Sequence, residues 1–98
     1  MTSLDKLAAW YRARCNESWE HSYGVSIDTL DNPGWLVKID LTGTTLEWRT
    51  FSAKAYGDQE TSESWVNCKV ESKQFVGAGG SGNLAEVLEI FVAWSEEV

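Results

Sequence analysis

The sequence lacks the segments that would take a protein into or across a membrane. Its 98 residues contain no run of 18 apolar residues, and the first residues do not form the basic, apolar and small-residue regions of a signal peptide. We therefore expect a cytoplasmic protein without a membrane partner. The length suits one domain spanning residues 1–98, with a single core.

Cysteine and histidine are scarce, which limits both metal binding and catalysis. Cys15 and Cys68 are the only cysteines and His21 is the only histidine. This set has no recognised zinc spacing and makes no disulfide framework, so we expect reduced thiols, no metal and no cofactor. Cys15, Asn16 and His21, with Glu20 to orient the imidazole, have the residue types of a cysteine-nucleophile site. Because no second base accompanies them, an enzyme is the weaker alternative.

Basic residues are also few, eight against fifteen acidic ones, and the formal net charge is −7. Nucleic-acid binding needs lysine and arginine to neutralise phosphates, so we expect no nucleic-acid partner. A basic protein partner is compatible with this charge, because complementary fields speed encounter. The acidity would also be explained by solubility alone.

Tryptophan, by contrast, is abundant. A small core seldom needs six indoles whose N–H groups each require a partner. We expect some of them at the surface, where tryptophan is a favoured interface anchor.

A β-hairpin is the clearest feature of the middle of the chain. The alternating runs Tyr23–Thr29 and Trp35–Leu41 flank the turn sequence Asp31-Asn32-Pro33-Gly34. Pro33 suits a turn by its fixed φ, and Gly34 by its tolerance of positive φ.

The remaining pattern predicts two helices and two further strands. Thr2–Arg14 has helical spacing and a capping box, and Asn83 with Glu86 predicts the start of an amphipathic helix that reaches Trp94. Strands are predicted at Leu46–Tyr56, with a bulge near Arg49 or Thr50, and at Trp65–Glu71, with a short continuation at Gln74–Val76. A polar loop covers Asn16–Ser22, and Gly57–Ser64 is the segment most expected to move.

This order predicts an α+β fold. We expect a four-stranded, mainly antiparallel sheet with the N-terminal and C-terminal helices packed on one face. The other face would stay open and carry Trp65. It would serve either as a docking surface or for self-association into a homo-oligomer.

The segment Gly77–Gly82 matches the pattern G-x-G-x-x-G ahead of a helix, where an anion can bind. A dinucleotide fold needs a parallel strand after that helix, and none follows. We therefore expect a flexible turn that lets the last helix approach the sheet closely.

A series of short motifs gives the chain a family resemblance. The series resembles the immunity protein 53 family of bacterial polymorphic toxin systems over nearly the whole chain, most specifically from Trp19 to Trp35. The motifs are WY-x-x-x-CN at 10–16, WEH-x-YG at 19–24, TLDNPGW at 29–35, IDL at 39–41, W-x-x-C at 65–68, F-x-G-x-G at 75–79 and L-x-x-x-L-x-x-F at 84–91.

The resemblance implies a non-enzymatic, cytoplasmic immunity protein that binds and neutralises a cognate toxin. We favour a nuclease as that toxin, because nuclease surfaces are often basic. It brings no contact residues with it, so the predicted partner-binding patch rests on charge and aromatic chemistry alone. That patch consists of Trp19, Glu20, His21, Asp31, Asn32, Trp35 and Trp65. The alternatives left open are that the WEH segment and the DNPG turn only shape the hairpin, and that the chain is an oligomerising adaptor or a Cys15/His21 enzyme.

Overall fold

The computed structural model describes residues 2–97. Within them it contains one five-stranded antiparallel sheet, in the order β1-β2-β5-β4-β3, and three helices. The α+β architecture and the antiparallel pairing agree with the prediction, whereas the predicted number of four strands is wrong. The elements are α1 Ser3–Arg14, α2 Trp19–Ser22, β1 Val25–Leu30, β2 Gly34–Asp40, β3 Lys54–Tyr56, β4 Val66–Glu71, β5 Gln74–Gly79 and α3 Leu84–Ser95.

Helix α1 begins at the predicted capping box. The Asp5 N–H donates to Thr2 Oγ1 at 3.1 Å, and the Thr2 N–H donates to Asp5 Oδ2 at 3.3 Å. The side that packs inward carries Leu7 and Trp10, while Leu4 stays 58% exposed. The helix therefore presents a different apolar stripe to the core from the one its spacing suggested.

The predicted hairpin is present as β1 and β2, which pair from Val25 opposite Ile39 to Leu30 opposite Gly34. Gly34 is needed there for a reason other than positive φ. A Cβ at this position would lie 2.5 Å from the Gly79 carbonyl oxygen and 3.3 Å from Trp65 Cζ2. The glycine thus allows β2 and β5 to pair while an indole packs beside them.

The predicted strand Leu46–Tyr56 is wrong except for its last three residues, which form β3. The N–H groups of Thr44, Glu47 and Arg49 each donate to the carbonyl three residues earlier, so the chain turns repeatedly instead of extending. Leu46 is buried and Trp48 is 80% exposed, although a strand would have put both on one face. No bulge is needed, because no strand passes through Arg49 and Thr50.

The glycine-rich segment is only partly a turn. Its first half belongs to β5, which is therefore a full strand and not a short continuation. A Cβ on Gly77 would lie 2.5 Å from Val87 Cγ1, and one on Gly79 would lie 3.1 Å from Val87 Cγ2. These glycines bring α3 close to the sheet, as expected.

Both long helices lie on one side of the sheet. Helix α3 packs on β2, β4 and β5, and α1 packs beside α3. Near the end of α3, the buried Trp94 indole donates its Nε1–H to the Thr50 carbonyl at 2.9 Å. The fully buried side chains include Val37, Ile39, Leu41, Leu46, Val66, Cys68, Phe75, Val87 and Phe91.

Candidate partner-binding site

The structure divides the predicted patch into two groups. Trp19, Glu20 and His21 precede β1, whereas Asp31 and Asn32 follow it. The two groups lie at opposite ends of the hairpin, and β1 between them has six residues, a length of about 17 Å at 3.3 Å per residue. The seven residues therefore do not form one patch.

The WEH segment is the short helix α2 and not a loop, and its tryptophan points inward. Trp19 is only 7% exposed, its Nε1 donates to the Thr42 carbonyl at 2.8 Å, and its ring meets Trp10 edge-on at a centroid distance of 6.1 Å. This indole anchors α2 against α1. The expectation that it lies at the surface is wrong.

Glu20 is also engaged within its own loop. Its two carboxylate oxygens accept the N–H groups of Asn16 and Glu17 at 2.9 and 2.8 Å. Bonds from backbone N–H groups, its own foremost, hold the pKa of Glu20 below its ordinary value against a smaller opposing effect of desolvation. Asn16 Oδ1 in turn accepts the Trp19 N–H at 2.9 Å. Both side chains thus shape the entry to α2.

The two cysteines lie in different surroundings, Cys15 half-buried and Cys68 fully buried. Cys15 Sγ donates to the Tyr11 carbonyl at 3.4 Å, and the structure records no hydrogen bond between Cys15 and His21 within residues 2–97. Cys68 is fully buried, and burial raises the pKa of its thiol to about 11, with the Glu86 carboxylate adding to the effect. Over the same residues, no group of three His, Cys, Asp or Glu side chains could hold a metal ion.

The other end of the sheet carries a cleft made by three loops. One loop is the β1–β2 turn at Asn32-Pro33, the second is Gln59–Glu63, and the third is Gly80–Gly82, with Trp65 between them. We call this the three-loop cleft; its volume is about 530 Å³.

The loops of this cleft are acidic. Glu60 and Glu63 line it, and Asp31 and Asp58 adjoin the lining residues; all four are exposed. The segments 31–34, 57–64 and 80–83 contain no lysine or arginine. This end of the molecule therefore presents four carboxylates that no basic residue of the same loops neutralises.

Two of the predicted tryptophans organise the cleft from inside. Trp35 is half-buried, and its Nε1 donates to the Ser81 carbonyl at 2.9 Å. Trp65 is on the strand side shared by Asn67 and Lys69, as expected, but it is 4% exposed and not open to solvent. Its ring lies close to Gly34 and Gly80, where a Cβ would meet it at 3.3 and 3.2 Å.

A polar network connects the acidic loop to α3. Asn83 Nδ2 donates to Ser64 Oγ at 3.0 Å and to Glu86 Oε1 at 3.1 Å, and Tyr56 Oη donates to the same Glu86 oxygen at 2.6 Å. The hydrogen bond with Glu86 raises the pKa of Tyr56. Asn83 Oδ1 accepts the backbone N–H of Trp65 and does not cap the helix. The predicted amide cap is therefore wrong, although α3 begins at Leu84 as expected.

Sequence reasoning missed Trp48, the most exposed of the large apolar side chains among residues 2–97. Lys73 Nζ lies 4.5 Å from the centroid of its ring and also pairs with Glu47 at 3.1 Å. The available signal was the broken alternation after Leu46, which should have argued against a strand. Its contact with Lys73 puts the Trp48 ring beside the β4–β5 turn, at the opposite end of these strands from the three-loop cleft.

Within the described residues, no helix has both the length and the apolar character to span a membrane. Searches of curated proteins and of solved structures gave no match to this chain. The model of one family, immunity protein 53, matches residues 4–96. The resemblance drawn from the motifs is thereby confirmed: the chain belongs to the immunity protein 53 family.

Proposed function

We propose that this chain is an immunity protein that neutralises a toxin by binding it, without catalysis, and that the three-loop cleft contacts a basic surface of the toxin. Membership of the immunity protein 53 family supports the general role. The observation that carries the choice of surface is the set of four exposed carboxylates on loops that have no lysine or arginine.

Charge complementarity gives this surface a mechanism. A protein with a net charge of −7 attracts a basic partner, and carboxylates gathered at one end orient the approach of that partner. Asn32 lines the cleft from the tight β1–β2 turn, with the exposed Asp31 next to it in the chain, and Glu60 and Glu63 line it from the loop Gln59–Glu63. A lysine or arginine that entered the cleft would meet acceptors from both loops.

The predicted residues take different parts in this proposal. Asp31 and Asn32 contact the toxin directly. Trp35 and Trp65 position the loops, because one bonds the Ser81 carbonyl and the other fills the space between Gly34 and Gly80. The WEH segment lies outside the contact, and only His21 among its three residues is exposed.

The acidic loop at residues 58–63 is held in place by hydrogen bonds within the loop. Asp58 Oδ1 accepts the Glu60 N–H at 2.7 Å, and the Ser62 N–H donates to the Asp58 carbonyl at 2.8 Å. Gly57 has a φ of +77°, and a Cβ there would lie 2.5 Å from the Ser64 carbonyl oxygen. A loop held in this way loses less entropy when a partner binds it.

The test is co-expression with the toxin domain encoded next to this chain, scored by growth rescue and by copurification. The wild-type chain should rescue growth and copurify with the toxin. The double variant Asp31→Lys/Glu60→Lys should slow association by about tenfold at low salt, and the difference should shrink at high salt.

The matched control is the charge reversal Glu89→Lys on α3, whose side chain is exposed and lies outside the cleft. The single variant Asp31→Lys changes the net charge by the same amount. If Glu89→Lys slowed association as much as Asp31→Lys does, the effect would come from net charge, and the choice of surface would be overturned. Growth rescue without a complex would contradict neutralisation by binding, and Cys15→Ala would then test an enzymatic alternative.

A further inference from the structure

Strand β1 is an open edge of the sheet. It pairs with β2 on one side and has no strand on its other side within residues 2–97. The Asp40 N–H donates to the Gly24 carbonyl, so by the antiparallel alternation the odd residues Val25, Ile27 and Thr29 direct their backbone groups outward. The strand contains no proline, lysine or bulge. Its one charged residue, Asp28, has the opposite parity to Val25 and Ile27 and so lies on the other face of the sheet.

Exposed apolar side chains gather beside this edge. Residues 2–97 include six exposed large apolar side chains. Four of them lie on α1 or between Tyr23 and Ile27, namely Leu4, Tyr11, Tyr23 and Ile27. Between α1 and the start of β1 lies a groove of about 330 Å³ without any charged lining residue. The lining residues are Leu4, Leu7, Ala8, Tyr11, Gly24 and Val25. Together, edge and groove fit an extended strand with apolar side chains on one face.

We propose that a second copy of this chain supplies that strand, through antiparallel pairing of β1 with β1 in which Ser26 faces Ser26 and Val25 faces Ile27 of the second copy. This pairing uses only outward-directed backbone groups. The two five-stranded sheets then join into one continuous sheet, with the helices of both copies on the same side.

The register follows from self-complementarity. With Ser26 on the two-fold axis, Ile27 of each copy lies opposite Val25 and beside the groove at Leu4 and Tyr11 of the other. Asp28 lies opposite Gly24, so no two like charges face each other across the pair. A shift that paired Ile27 with itself would instead bring the polar Thr29 beside the groove.

The first test is the mass in solution, measured by light scattering over a concentration series. The wild-type mass should rise from the 11.0 kDa of one chain toward twice that value. Ile27→Lys and Leu4→Lys should each weaken dimerisation by about tenfold or more, since each places a charge among apolar contacts. Trp48→Lys is the matched control, because it removes an exposed apolar side chain elsewhere and should leave the dimer intact.

The second test examines the register. In a Cys15→Ser background, Ser26→Cys should form a disulfide-linked dimer with oxidised glutathione, because facing residues of a non-hydrogen-bonded pair have Cα atoms about 4.5 Å apart. Asp28→Cys, which would lie opposite Gly24, should not form it. Circular dichroism should confirm that each variant is folded.

Three results would overturn the proposal. One is a wild-type chain that stays monomeric at about 1 mM. Another is a dimer that Ile27→Lys does not weaken, or in which Asp28→Cys crosslinks as readily as Ser26→Cys. The third is a monomer in which Ile27→Lys abolishes copurification with the toxin, which would assign the edge to a strand of the toxin.

Discussion

Replacing Gly77 with alanine should destabilise the chain by about 2 kcal/mol. The added Cβ would lie 2.5 Å from Val87 Cγ1 and 2.9 Å from Phe75 Cε2, and both of those side chains are fully buried. Relief would require α3 to move away from β5 or two core side chains to leave their rotamers. Overpacking of this kind costs about 1–3 kcal/mol.

Gly82→Ala is the matched control within the same glycine-rich segment. A Cβ at Gly82 would meet no atom within 4 Å, and its φ does not lie in the left-handed region. This variant should therefore change stability by less than about 0.5 kcal/mol.

The two variants would be compared by urea denaturation and by melting temperature. For a domain of this size, a loss of about 2 kcal/mol should lower the Tm of the Gly77 variant by about 8–16 °C. Equal stability of Gly77→Ala and Gly82→Ala would refute the argument that these glycines exist for the close approach of α3 to the sheet.

Three further predictions concern the buried and the titrating groups. Trp19→Ala should cost about 3–5 kcal/mol in urea denaturation, while Trp48→Ala, at an 80% exposed side chain, should cost less than about 0.5 kcal/mol; similar costs would contradict the assigned burial. Glu20→Gln should be less stable than wild type at pH 7. The difference in free energy of unfolding should narrow as the pH falls through and below 4.5, because the folded pKa of Glu20 is lowered and its contribution is lost on protonation. A difference that stays constant with pH would contradict this. Native protein treated with iodoacetamide at pH 8 should be alkylated at Cys15 and spared at Cys68, whose pKa is about 11, and mass spectrometry would detect the reverse order.

The hairpin and the two long helices were predictable because their signals are local. Alternation of apolar residues around Asp31–Gly34 determines β1 and β2, and the Thr2–Asp5 box determines the start of α1. The end of the chain was harder. Gly77 and Gly79 weaken a strand by propensity, and only their pairing with β2 and β4 on either side makes β5 a full strand.

The segment after Leu41 could not be predicted from alternation. Leu46 enters the core and Trp48 leaves it, because turns reverse the chain between them. Arg49 then donates to the carbonyls of Trp94 and Glu97 at 3.1 and 2.8 Å, a contact across more than 40 residues that no local pattern contains.

The division of the predicted patch was, in contrast, available from the sequence. A six-residue strand puts its two flanking segments at opposite ends, so Trp19–His21 and Asp31–Asn32 could have been separated at once. The burial of Trp65 was not available, since it depends on contact with Gly34 and Gly80 from other strands and loops. Cleft geometry of this kind requires the tertiary structure.

The most direct test of the proposed binding surface is an NMR titration of the ¹⁵N-labelled chain with the unlabelled toxin domain. If the acidic three-loop cleft binds the toxin, the largest changes in amide signals should fall in its three loops, at residues 31, 32, 58–63 and 80–82. Changes concentrated elsewhere, for example around Trp48 or α2, with those loops unaffected, would contradict the claim that the acidic three-loop cleft binds the toxin.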